Sequence, residues 1–148
     1  SYSLINRWIE KGLTKTLIKN KIGCIAFSPI AQGMLSEKYF KGIPKKTRAN
    51  DQNSYLDKNL ITKKNINIIK DLNILAKKRG QTLSQMAISW VLNNKAVTSA
   101  LIGIRSVNQL KENIKSLNNL NFTKTEIKLI NKKAKDGNIN IWEESSSY

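Results

Sequence analysis

Apolar positions along the chain form two short, nearly unbroken runs, with stretches between and after them that repeat at helical spacing. Gly23-Cys-Ile-Ala-Phe27, stopped by Ser28-Pro29, and Val97-Thr-Ser-Ala-Leu-Ile102, closed by Gly103, read as buried strands, since each is short, apolar and bounded by Gly or Pro. Cys24 inside the first is read as a small core hydrophobe. Thr14 to Lys21 is a short helical candidate with Leu17 and Ile18 on one side. From about Lys63, Ile69, Leu72, Leu75 and Ala76 share a helical face, and Gly80 after Lys77-Lys78-Arg79 supplies a stop. Thr82-Leu-Ser-Gln85 is a capping box that predicts a helix with Leu83, Met86, Ala87, Trp90 and Val91 as apolar positions; Met86 and Trp90 read as core. Ser106-Val-Asn-Gln109 predicts another such box, over a helix carrying Leu110, Ile114 and Leu117. Thr123-Lys-Thr-Glu126 predicts a third, flanked by Phe122 and Ile127 at the positions of a hydrophobic staple.

The remaining segments are less regular. Ser1 to Glu10 reads as chain entering from elsewhere, with Ile5, Trp8 and Ile9 apolar. Residues 30 to 60 keep no period; Gly33, Gly42, Pro44, Asn50, Asp51, Asn53 and Asp57 mark a long loop. Loops of that length in compact domains are often lids or binding segments. The tail from Gly137 to Tyr148 offers Ile139, Ile141 and Trp142 for packing and then is expected to fray. The order strand, loop, two helices, strand, two helices implies parallel βαβ units. A full βα barrel needs about 250 residues, and an independent flavodoxin-like domain would want more strands than the two found. The expected fold class is α/β, as part of a (β/α)8 TIM barrel.

Composition narrows the chemistry. With 148 residues and 40% hydrophobic content the chain is expected to bury one core, as a single domain or part of one. It has no His, which excludes His-based triads and His ligation of zinc, and its one Cys gives no internal disulfide or paired metal motif. The longest uncharged stretch, Ile22 to Ser36, is too short and too broken to span a bilayer. No signal-peptide layout opens the chain, so a soluble cytoplasmic protein is expected. It opens on Ser1 rather than Met, as after processing or in a piece of something longer. The net charge of +16 invites a nucleic-acid reading. Yet the 22 Lys are dispersed and not interleaved with aromatics, and with 18 Asn and 20 Ile they make up 60 of the 148 residues. All three types have A/T-rich codons, and polyanion binding gives no reason for excess Ile. Mutational drift is the preferred explanation, and no nucleic-acid partner is expected.

Candidate chemistry lies at the two strand ends. Gly103-Ile-Arg-Ser106 combines close backbone approach, a forked cation and a helix N-terminus, which suits a phosphate. An ordinary capped turn with a solvated Arg105 fits the same pattern. After the first strand, Phe27 could stack on a flat ring, Ser28 donate to a phosphate and Lys38 pair with one, or they could be a core Phe and a surface Lys. No G-x-G-x-x-G or P-loop is present.

Ser28-Pro-Ile-Ala-Gln-Gly-Met-Leu-Ser-Glu-Lys-Tyr39 resembles the "SPLAxGxLTGKY" segment of the aldo-keto reductases, and Leu101-Ile-Gly-Ile-Arg-Ser-Val-Asn-Gln-Leu-Lys-Glu-Asn113 resembles their "LIGxRxxxQLxEN" segment. The Asn-Ile-Trp142 tail fits a bacterial branch related to the potassium-channel β subunits. The resemblance covers essentially residues 1–148 and implies the C-terminal half of an aldo-keto reductase barrel, with the catalytic half absent. It implies NADPH as cofactor. Phe27 falls where the family stacks an aromatic on the nicotinamide, and Ser28, Ile30, Gln32, Gly33, Ser36 and Lys38 where the pyrophosphate is wrapped. Arg48 falls near an arginine that reaches the adenosine end. Gly103 and Arg105 fall at the 2′-phosphate, and Gln109, Glu112 and Asn113 at the adenine. Gln109 would also serve the capping box, so two roles compete for it. Glu37 departs from the family's Gly and should weaken pyrophosphate binding unless it turns outward.

The family's catalytic Asp, Tyr, Lys and His belong to its N-terminal half, so no catalytic or metal-binding residue is expected here. The parent would be a carbonyl reductase acting on a small-molecule aldehyde, and this chain alone is expected to be inactive. A non-catalytic remnant of a decayed gene, or less favourably a basic nucleic-acid-binding module, are the other readings. A half barrel would leave edges and an apolar face open, so the chain is expected to aggregate, to form a homo-oligomer or to need its other half.

Overall fold

The computed structural model describes residues 1–134 except 46, 52, 53 and 55; the expected packing of Ile139, Ile141 and Trp142 lies outside the described residues. The order is α1 (Leu13–Lys19), β1 (Cys24–Phe27), α2 (Lys63–Lys78), α3 (Leu83–Leu92), β2 (Val97–Leu101), α4 (Val107–Ile114) and α5 (Lys124–Lys133). β1 and β2 pair in parallel, Ile25 opposite Ser99 and Phe27 opposite Leu101, with a register shift between Cys24 and Ile25. An added Cβ on Gly23 would stand 2.6 Å from Thr98 Oγ1, so a side chain there would displace the hydroxyl that accepts from the Cys24 N–H at 3.3 Å.

Helix termini follow the sequence closely. Thr82 and Thr123 close complete capping boxes with Gln85 and Glu126. α2 ends in a Schellman motif: the Gly80 N–H donates to Lys77 O, the Gln81 N–H to Ala76 O, and Gly80 takes φ +68°. The box predicted at Ser106 forms only by half. Ser106 Oγ accepts from the Gln109 N–H, but Gln109 Oε1 turns one residue further back and accepts from the Arg105 N–H at 2.9 Å. That amide precedes the helix and has no intrahelical acceptor of its own, so the side chain is better used there.

The core unites Ile69, Leu72 and Ala76 of α2 with Leu83, Met86, Ala87, Trp90 and Val91 of α3, and with Ile130 of α5. The segment read as incoming chain contributes Tyr2, Leu4, Ile5 and Ile9 to that core. The long loop is packed and not loose: Met34, Leu35 and Tyr39 are buried, and 3-10 turns occupy Ala31–Gly33, Glu37–Tyr39, Arg48–Asn50 and Lys58–Leu60.

Both strands form where expected, but they are not buried on both faces. Ala26 is buried, whereas Ile25 is 69% exposed and Leu101 59% exposed, with Thr98 and Ser99 also open. Helices cover one side of this two-stranded sheet and nothing described covers the other. α4 likewise leaves Val107 and Ile114 exposed, with Leu117 just beyond it, so the predicted apolar face is largely uncovered. No helix among the described residues is long and apolar enough to cross a membrane.

Candidate functional site

Where β1 ends, the backbone turns sharply. Ser28, Ala31, Gln32 and Gly33 all have positive φ, at 56°, 47°, 56° and 93°. For non-glycine residues this conformation is costly and needs support from its surroundings. Ala31 N–H donates to Ser28 O at 2.8 Å, Ser28 Oγ accepts from Gln32 Nε2, and Ser36 Oγ donates to Gly33 O at 2.7 Å. The turn holds itself in a shape that presents the Ser28–Lys38 stretch to the end of the second strand.

Arg48 joins the two strand ends. Its Nη1 donates to Gln32 Oε1 at 2.6 Å, and its Nη2 lies 3.8 Å from the position of a Cβ on Gly103. The long loop therefore crosses to the β2–α4 turn, where Ser106 caps α4.

Between these elements runs one groove of about 1510 Å³. Every candidate residue lines it: Phe27, Ser28, Ile30, Gln32, Gly33, Ser36, Lys38 and Arg48 from the first strand and the loop, Gly103, Arg105, Gln109, Glu112 and Asn113 from the second strand and α4. The volume exceeds that of a pocket for a drug-sized molecule and suits an extended ligand.

The charges are mostly positive. Lys115 pairs with Glu112, whose carboxylate also faces Gln85 Nε2 at 3.4 Å, and Lys77 pairs with Glu37 at 2.9 Å. Among the described residues Lys38 and Arg105 make no ion pair, and the Arg48 guanidinium donates to the neutral Gln32. Three cations thus remain for an anionic guest. Glu37 turns toward α2, where the Lys77 ammonium and the Asn73 amide hold its carboxyl below the usual carboxylate range.

One atom is left over. The amide nitrogen of Asn113 is buried on α4 and has no hydrogen-bond partner among the described residues, although its residue lines the groove. A buried donor without an acceptor costs about 1–3 kcal/mol, so such a group is often completed by a ligand. Gln109 and Glu112 are already engaged. Sequence reasoning missed Asn73, Lys77 and the Gly80–Gln85 turn, which also line the groove. Their pattern reads fully as helix stop and helix start, and Ser84 Oγ donating to Leu35 O, which brings α3 to the loop, leaves no local signal.

The Aldo/keto reductase family profile matches residues 1–135, and the chain belongs to that family. It is similar to the L-glyceraldehyde 3-phosphate reductases of Escherichia coli O157:H7 and strain K12, at 44% and 45% identity over 150 residues, covering 99% of this chain. The chain spans 43% of the length of either relative. Among solved structures it is similar to the glycerol dehydrogenase of Gluconobacter oxydans, with TM-score 0.71 and 25% identity over 88% of this chain and 39% of that one. An aldo-keto reductase of Bacillus halodurans in holo form shares the fold, with TM-score 0.66 and 20% identity over 92% of this chain and 41% of that one.

Proposed function

We propose that this chain is the cofactor-binding half of an NADPH-dependent carbonyl reductase, built as the C-terminal half of a (β/α)8 barrel. The observation that carries the reading is the groove with three available cations and, on α4, the unpaired Asn113 amide. Asn113 Nδ2 suits an acceptor on a purine edge, and Lys38, Arg48 and Arg105 suit phosphate oxygens. Phe27, half-buried at the strand tip, offers a ring face for a flat heterocycle. The bound nicotinamide would supply hydride to an aldehyde carbon. Residues of this chain orient the cofactor and exclude water along one side of it, while the acid that protonates the carbonyl oxygen would come from the part of the relatives' length that this chain does not span.

The bare strand face supports the same reading. Ile25 and Leu101 expose apolar surface on a sheet of two strands, and the remaining strands of a barrel, or a second copy of this chain, would cover it. NADPH titration of the chain, followed by cofactor fluorescence, tests the reading: saturable binding weakened by Arg105→Ala supports it, and no binding overturns it. The chain alone is expected to oxidise no NADPH with any aldehyde.

A further inference from the structure

Glu37 is the one carboxylate that the long loop turns toward the groove's α2 side. It opens the 3-10 turn Glu37–Tyr39, which Ser36 caps by accepting from the Lys38 N–H. Its Oε1 accepts from Asn73 Nδ2 at 2.7 Å and lies 2.9 Å from Lys77 Nζ. Both partners are on α2, one helical turn apart, and all three residues line the groove.

An exposed ion pair between two mobile side chains contributes little, because each must be ordered to form it. This pair differs in one respect. Asn73 is buried and fixed in α2, so it holds the carboxylate in place before Lys77 engages. Lys77 and Asn73 hold the Glu37 carboxyl below the usual carboxylate range. The groove is then left with Lys38, Arg48 and Arg105 as available cations, and a carboxylate stands beside the first of them.

Resting on the cofactor reading above, we infer that Glu37 sets the affinity of the groove for phosphate-bearing ligands, by holding Lys77 in a neutral pair. The effect is that of a single charge. A ligand phosphate meets a neutral Glu37–Lys77 pair where Lys77 alone would attract it across partly screened solvent. Glu37 is therefore an affinity-lowering residue that favours release.

Glu37→Gln separates charge from structure, because a glutamine oxygen still accepts from Asn73 and keeps the loop tied to α2. NADPH titrations would compare the unaltered chain, Glu37→Gln, Lys77→Gln and the double variant at low ionic strength. The expected result is about two- to fivefold tighter binding by Glu37→Gln, as one partly exposed charge allows. Lys77→Gln alone, leaving Glu37 uncompensated, binds more weakly than the unaltered chain, and the double variant loses most of the gain of Glu37→Gln. The differences shrink at high salt. Inorganic pyrophosphate, as a competitor, should show the same order. If the unaltered chain binds NADPH and Glu37→Gln binds no tighter, or if its gain survives high salt, or if the double variant binds as tightly as Glu37→Gln, the inference is overturned. If no variant binds NADPH, the cofactor reading falls and the inference with it.

Discussion

Arg48 Nη1 donates to Gln32 Oε1 at 2.6 Å, and this hydrogen bond ties the long loop to the left-handed turn that follows β1. Gln32 holds φ 56° there, a conformation that no glycine eases. Arg48 Nη2 also lies 3.8 Å from where a Cβ on Gly103 would stand, so one side chain of the loop reaches both strand ends. Arg48→Met is expected to weaken NADPH binding about tenfold or more, as loss of a charge-assisted contact implies, while leaving the denaturant midpoint nearly unchanged. Titration alongside equilibrium unfolding checks both parts; a large loss of stability would mean that Arg48 serves the fold first.

Asn113 should likewise serve the ligand more than the fold. Its unpaired amide lowers the stability of the empty chain, so Asn113→Leu, close in shape, is expected to leave stability unchanged or raise it by about 1 kcal/mol. The same substitution should weaken NADPH binding severalfold. Equal losses in both measurements would place Asn113 in the core and not in the site.

Arg79 fastens α5 to the rest of the molecule. Its guanidinium is 3% exposed and lies 3.7 Å above the Phe122 ring. It pairs with Glu126 at 2.8 Å and donates to the carbonyls of Asn119 and Asn121. Lysine cannot reproduce a planar fork that stacks and bridges at once. Arg79→Ala is expected to cost about 2–3 kcal/mol by removing the stacking on Phe122, the ion pair and the hydrogen bonds to Asn119 and Asn121, although Glu126 keeps the Thr123 N–H and Asn119 O keeps Gln81 Nε2, and Arg79→Lys should recover only part, read from unfolding midpoints.

Glu126 gives this clasp a pH dependence. Burial pushes its carboxyl upward, but the Thr123 N–H and hydroxyl and the Arg79 guanidinium outweigh burial and hold it below the usual range. A carboxyl depressed in the folded chain stabilises above the ordinary glutamate range, and that contribution fades as pH falls through the folded value. Glu126→Gln should therefore flatten the acid side of the stability profile, with little change in slope at neutral pH. Unfolding midpoints across the acid range would read it, and an unchanged slope would contradict the pairing.

Much of this architecture is legible in local sequence. The caps at Thr82 and Thr123, the stop at Gly80 and both strands depend on residues within a few positions of one another, and they stand where the pattern puts them. An open apolar face is expected from the reading as half a barrel, but the strand pattern itself does not show it. Ile25 and Leu101 carry the same apolar signal whether a barrel interior or water lies beyond them, because a run of hydrophobes records what a strand should meet and not what this chain supplies. The groove was legible as a set of residues through the two family-like segments. Its far wall was not, since Asn73 and Lys77 reach it only through the docking of α2, which joins residues 36 positions apart at Glu37 and Asn73.

Dispersed charge and groove charge make opposite predictions for partners. With lysines spread along the surface, weak binding to duplex DNA should vanish with salt and be unaffected by Phe27→Ala. Gel shifts across a salt series would check this, and tight binding that falls steeply with salt yet persists at physiological salt would favour a nucleic-acid role.

The most direct test of the central claim is a fluorescence titration of the chain with NADPH, beside Phe27→Ala and Arg105→Ala. The account predicts saturable binding at one site per chain, weakened severalfold or more by either substitution at opposite ends of the groove. Binding that ignores both substitutions, or no binding at all, would contradict it.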